Sequence, residues 1–289
     1  MARVWRRVLV PGNGPGAMMA ARLDPWLKTQ FAANVAYDEL ARELILARQN
    51  PPTAGDAVVP VGFVPAAGPL LLYEAIGPTP ENLANSFSRT FLGVRIGCAQ
   101  CHDHPFAEWK QADFWGMAAF FAGRTRDPMG QWTESKVTKI LNPANSVEYS
   151  AHFLWDTAPD FAGDKLPREV FVDWLTSPEN PNFSATAVNR VWQYLCGRGL
   201  TDAVDDLDTA SLEERQILNE LAELFEQADY DLRWLMAGIC ESQTYQRACV
   251  SQESDTDPLP PSIRGAESPA SGPSSFTRYS RSSAIEYAR

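Results

Sequence analysis

The residues best suited to chemistry are Cys98-Ala99-Gln100-Cys101-His102, two thiols three positions apart with an imidazole directly after them. This is the spacing of covalent haem c attachment. Two thiols so placed reach the two vinyl groups on one edge of a porphyrin. The adjacent imidazole then projects back to the iron as proximal ligand. The same residues serve three other chemistries. Followed by His102 and His104, the thiol pair is half of a tetrahedral zinc site, although the chain has no second Cys-x-x-Cys. A redox dithiol is another reading, but such motifs follow a strand and open a helix. The plainest reading is a loop whose thiols are buried or disulfide-bonded.

A sixth iron ligand, if there is one, has three candidates: Met117, Met129 and His152. His104 lies only two residues from His102 and is poorly placed for that role. A Met ligand raises the reduction potential relative to a second His. Met117 also fits a helix's apolar stripe, as a core Met does, and His152 falls on the polar side of an expected strand. A five-coordinate iron is the remaining arrangement. Asp202, Asp205, Asp206 and Asp208 form an acidic run without the Gly and terminal Glu of a calcium loop, so they read as a solvated loop before a helix. No Gly-rich phosphate loop, nucleophile elbow or His-Glu-x-x-His helix occurs. With no acid–base pair or nucleophile singled out, no catalytic residue is assigned, and whether the chain is an enzyme stays open with the balance against it.

The elements around the motif follow from periodicity. Leu23 to Gln49 reads as helical, with Leu40, Leu44 and Ala47 recurring on one face. A stretch broken by Pro and Gly runs from Asn50 to Pro69. Thr79-Pro80-Glu81 opens a second helix: a capping hydroxyl, a proline for the first turn and a carboxylate at the positive dipole end. Leu83, Phe87 and Phe91 form its apolar stripe, and Gly93 ends it. A third helix is expected from Gln111 to Ala122, stopped by Gly123. Cys98 to Phe106 is therefore a loop clamped between two apolar helices. Val147 to Leu154 alternates as a strand, with a second over Val137 to Leu141. Further helices are marked by Val170, Trp174 and Leu175, by Ala187, Val191 and Leu195, by Leu212 to Phe225 and by Leu232 to Ile239.

The chain has 289 residues, nine Trp, eight Tyr and fourteen Phe, enough apolar material for a real core. Its formal charge of −11 argues against a nucleic-acid binder, which needs a basic face. Five cysteines, an odd number, do not suit a full disulfide framework. No apolar run approaches the ~18 residues of a membrane span. Arg3, Arg6 and Arg7 resemble the charged start of a signal peptide, but the apolar stretch after them stops at Pro11-Gly12, so no export signal is visible. The expected fold is mainly α: two packed helical units, 23–124 and 166–247, with a small β insertion at 125–165. Disordered segments are expected at 1–22 and in the polar tail at 248–289.

The phrases from Thr90 to Arg124 (TFLGVRIGCAQCHDHPFAEWKQADFWGMAAFFAGR), from Leu166 to Leu207 and from Tyr230 to Arg247 resemble paired families abundant in planctomycete bacteria, the domains of unknown function 1549 and 1553. These often occur with a cytochrome-c-like domain. The resemblance spans roughly Leu23 to Arg247. It implies an exported protein of the periplasm or cell envelope, with a redox partner or an envelope protein as partner. Cys98, Cys101 and His102 match the motif on which such members are expected to bind haem or metal, and His104-Pro105-Phe106 match the phrase after it. Family members usually carry an export signal and further sequence at both ends, so the chain reads as a truncated member. Two functions lead: a c-type cytochrome-like electron carrier, or a zinc- or thiol-stabilised structural module of the envelope; a third, an enzyme acting on envelope polysaccharide or its products, is suggested by association alone.

Overall fold

The computed structural model describes residues 1–12, 14–47, 68–128, 132–155 and 158–247. It is mainly α, as the periodicity predicts, and its contacts divide the chain into two compact units, Met1–Phe183 and Ser184–Arg289. In chain order the helices of the first unit are α1 (Ala2–Leu9), α2 (Pro15–Ala20), α3 (Asp24–Ala33), α4 (Tyr37–Leu46), α5 (Leu70–Ile76), α6 (Pro80–Phe87), α7 (Gln111–Ala119) and α8 (Pro167–Leu175). Between α7 and α8 lie two short antiparallel hairpins. The first joins β1 (Arg124–Arg126) to β2 (Trp132–Glu134), and the second joins β3 (Lys139–Leu141) to β4 (Glu148–Ser150). Thr125 faces Thr133 in the first and Ile140 faces Tyr149 in the second. Helix α9 (Pro181–Cys196) carries the boundary between the units, and α10 (Leu212–Gln227), α11 (Leu232–Glu241) and α12 (Gln243–Gln246) belong to the second. Among the described residues no helix is long and apolar enough to cross a membrane.

The helix ends obey local chemistry. The Thr79 hydroxyl accepts from the Asn82 amide at 3.3 Å, capping α6. Its far end widens into a π-turn, Ser88–Leu92, released at Gly93, whose φ of 61° is the left-handed conformation that glycine adopts without penalty. Ser211 and Glu214 exchange bonds as a capping box on α10, and the Asp231 carboxylate accepts from Arg233 and Trp234 at the start of α11. The expected helix over 23–49 is interrupted at Asn34, which takes φ 53° and separates α3 from α4.

Residues 1–22, expected to be without structure, are helical. Trp5, Leu9 and Ala20 are fully buried, and Trp5 packs against Tyr37 at 5.0 Å between ring centroids. Composition misleads here because glycine has a packing use. A Cβ at Gly16 would lie 2.4 Å from the Ala75 carbonyl oxygen, so the bare residue lets α2 seat directly on α5. Arg6 adds an ion pair to Asp24 at 2.8 Å. The predicted strand over 147–154 pairs only through Glu148–Ser150. Beyond it the alternation fails, since Phe153 and the adjacent Leu154 are both buried. The expected Pro/Gly-broken stretch lies mostly, and the expected polar tail wholly, outside the described residues.

The first unit's core is aromatic. Phe87 meets Phe121 at 5.5 Å, Phe120 stacks on Phe153 at 4.9 Å, and Phe153 stacks on Trp174 at 4.5 Å. Beside it lies a buried polar knot at the end of α4. The Arg168 side chain, 2% exposed, donates to the Ile45 and Leu46 carbonyls at 2.6 and 2.7 Å and to the Tyr73 hydroxyl at 2.8 Å. Its other edge grips the Glu134 carboxylate through Nε and Nη2. Arg124, sandwiched between the Tyr73 and Trp132 rings, donates to the Leu46 and Ala47 carbonyls. Two guanidinium groups thus satisfy the carbonyls that a helix leaves open at its end.

Candidate functional site

The Cys-x-x-Cys-His segment folds because its turn is tight and its apolar residue points inward. Gly97–Gln100 is a 3₁₀ turn, in which residues three apart eclipse one another. Cys98 and Cys101 therefore share a face, and both are exposed free thiols. Ala99 between them is fully buried, as is Ile96 before them, and these two pin the turn to the core. Gly97 sits close to α6, where a Cβ would come within 2.8 Å of the Asn85 side-chain oxygen.

The turn is seated on the amino end of α7. Asp103 Oδ1 accepts from the Gln111 amide at 2.8 Å, capping that helix. The Gln111 side chain donates to the carbonyls of Gln100 and Cys101 at 3.3 and 3.0 Å, and Trp115 Nε1 donates to Gln100 at 3.1 Å. Behind them Gln111 Oε1 accepts from Asn145 and from the Tyr149 hydroxyl, and Trp115 stacks on Tyr149. The β3–β4 hairpin therefore braces the helix that braces the loop. Gln111→Ala is expected to cost about 1–2 kcal/mol for the side-chain hydrogen bonds it removes, read as a lowered denaturant midpoint with unchanged slope.

His102 Nδ1 lies 2.7 Å from the Asp103 carbonyl oxygen. A carbonyl only accepts, so Nδ1 carries the proton and Nε2 keeps its lone pair, the form in which imidazole binds a metal. His104 is bonded differently: its Nδ1 lies 2.9 Å from the Ala107 amide and 3.2 Å from the Phe106 amide. The side chain of Phe106 is 95% exposed beside the motif.

The candidate sixth ligands are not gathered here. Met117 is fully buried in the core. Successive helix residues turn about 100°, which puts Met117 roughly 200° from Trp115, the side chain that faces the loop. His152 packs its ring on Gly116, donates from Nδ1 to the Ser150 carbonyl at 3.2 Å and holds Nε2 3.6 Å from Asp113. Asp113 and Gly116 lie on the side of α7 turned away from Gln111 and Trp115, so helix backbone stands between His152 and the loop. Met129 lies outside the described residues.

The residues present fit a covalently held haem: two accessible sulfurs on one face, followed by an imidazole with a free Nε2. They do not assemble a zinc site. Among the described residues no group of three or more His, Cys, Asp or Glu stands together as a metal ion requires. The second unit holds a contrasting thiol, Cys196, which burial and the neighbouring Cys240 push up to about 11. With an alkylating reagent at pH 8, Cys98 and Cys101 are expected to react rapidly in the native protein. Cys196 should lag far behind, having roughly a hundredfold less thiolate than an ordinary thiol as well as less access. Peptide mapping of a time course checks the order.

Sequence reasoning missed Asp103, Gln111 and Trp115, which hold the motif, and the Arg124–Arg168 knot. A carboxylate shortly before a helix start is a capping signal, and Asp103 carries it at a distance too long to read locally.

An exposed Cys-x-x-Cys-His turn on a mainly α scaffold is the setting in which the comparisons with known proteins fall. Residues 1–126 match the family PSCyt2, described as Protein of unknown function (DUF1549), and residues 167–264 match PSD1, Protein of unknown function (DUF1553). The chain belongs to the proteins that pair these two domains. The first match includes residues 1–22 and the second extends past Arg247, so the family likeness is longer than the phrases alone indicate. Nothing among the curated proteins and nothing among the solved structures matches the chain.

Proposed function

We propose that this chain is a c-type cytochrome-like protein of the cell envelope, holding haem through thioethers at Cys98 and Cys101 with His102 Nε2 as proximal ligand. The observation that carries the reading is the joint presentation of two exposed thiols on one face of a 3₁₀ turn and an imidazole whose Nδ1 lies against the Asp103 carbonyl oxygen. The name of the first family, PSCyt2, is in keeping with it. When bound, haem supplies one-electron redox chemistry. Cys98 and Cys101 would hold the group through thioethers, each thiol's sulfur and proton being taken up by one vinyl group with no leaving group needed. His102 offers its lone pair outward, and the Asp103 carbonyl holds the ring in the tautomer that does so. Ala99 and Ile96 keep the turn from rotating its thiols inward. The partner is then a second redox protein, and attachment places the chain outside the cytoplasm.

Expression with an export leader and haem-maturation machinery, followed by acidified-solvent extraction, tests the reading. The expected result is a Soret band that stays with the unfolded polypeptide. Colour that passes entirely into the solvent contradicts it.

A further inference from the structure

We infer that His104 is a positioning residue, held in the tautomer opposite to that of His102, and that it sets the loop through Nδ1 and is not a ligand. Two backbone amides, those of Phe106 and Ala107, point at His104 Nδ1. An amide only donates, so Nδ1 must accept from both and cannot carry a proton. A neutral imidazole has one N–H, which therefore sits on Nε2. That nitrogen then has no lone pair in the ring plane to give a metal, and Nδ1 has already given its own.

The sequence explains why this turn needs such an acceptor. Pro105 has a fixed φ and no amide proton. The first free amides after His104 are thus those of Phe106 and Ala107, and both go to its ring. This is the geometry of an Asx turn, with imidazole Nδ1 standing where an Asn or Asp oxygen usually stands. The backbone closes the same loop, since the His104 amide donates to the Trp109 carbonyl at 2.7 Å. Two histidines two residues apart are therefore sorted by what their Nδ1 atoms meet. A carbonyl oxygen protonates that of His102, and a pair of amides strips that of His104.

The inference deepens the haem reading by leaving His102 alone as the ligand, yet its test needs no bound group. In the full chain, labelled with ¹⁵N and free of haem, imidazole nitrogen correlations recorded on the neutral rings should show His104 protonated at Nε2 and His102 at Nδ1. Exchange of the Ala107 amide should rise about tenfold in His104→Ala and stay within about twofold of the parent in His104→Asn, whose oxygen replaces the acceptor. A His104 proton on Nδ1 overturns the inference, as does an Asn variant that exchanges like the Ala variant. The tautomer is read on the parent protein, so the test survives a variant that fails to fold. Neither readout moves if haem attachment itself is refuted.

Discussion

Replacing Cys98 and Cys101 together by Ser is expected to abolish covalent haem retention while leaving the fold intact. A serine hydroxyl is far less nucleophilic than a thiol and does not add to a vinyl group under the conditions of maturation, so no bond to the polypeptide forms. Each single substitution leaves one thioether and retains haem through denaturation at lower yield. The fold should be indifferent because both side chains are exposed and the turn's anchors are Ala99, Ile96 and the backbone carbonyls held by Gln111 and Trp115. Exposed substitutions away from caps and cores stay within about 0.5 kcal/mol. Thermal melting of the haem-free variant should therefore overlay that of the haem-free parent. His102→Ala separates the two functions of the motif: the sulfurs can still attach, but the proximal nitrogen is gone, and the spectrum should lose the signature of an axial imidazole.

Arg168→Leu is expected to destabilise the first unit by about 3 kcal/mol or more, among the largest single effects in the molecule. The wild-type guanidinium is nearly fully buried, and burial opposes its charge. Tyr73 and Glu134 outweigh that opposition and hold its pKa above the ordinary arginine value. Leucine would fill the space but leave Glu134 without its fork and take one donor from each of the Ile45 and Leu46 carbonyls, which keep only Tyr73 and Arg124 respectively. Glu134 keeps some exposure, 22%, so it recovers part of its solvation and the loss stays at the lower end of the range for broken buried pairs. Lysine should fall between, since a point charge cannot bond two carbonyls, a hydroxyl and both carboxylate oxygens at once. Urea unfolding at neutral pH reads all three variants. A loss below 1 kcal/mol for the leucine variant would contradict this account of the knot.

What could be read from the chain beforehand divides along physical lines. Thr79-Pro80-Glu81 announces α6 because a cap, a fixed φ and a dipole-favoured carboxylate are all local. The stripe of α10 is equally plain, because burial repeats at the helical period through Leu218, Ala222 and Phe225. The Cys-x-x-Cys-His spacing is legible for the same reason: its chemistry is contained in five consecutive residues. Arg168 is not, because its partners are carbonyls 122 and 123 residues earlier in the chain, and a carbonyl has no residue type. Residues 1–22 mislead in the opposite sense, since Gly16 signals flexibility in composition yet serves close packing of α2 on α5. Spacing alone picks His102 for a haem but leaves His104 beside it as a ligand for zinc. What separates them is the direction of hydrogen bonds to main-chain atoms, which becomes visible only in three dimensions.

The measurement that bears most directly on the central claim is the intact mass of the exported, denatured protein after coexpression with haem-maturation machinery. The account predicts the chain mass plus one haem, lost entirely in the doubly Ser-substituted variant. A parent protein at the bare chain mass, from cells in which a control cytochrome is matured, contradicts it.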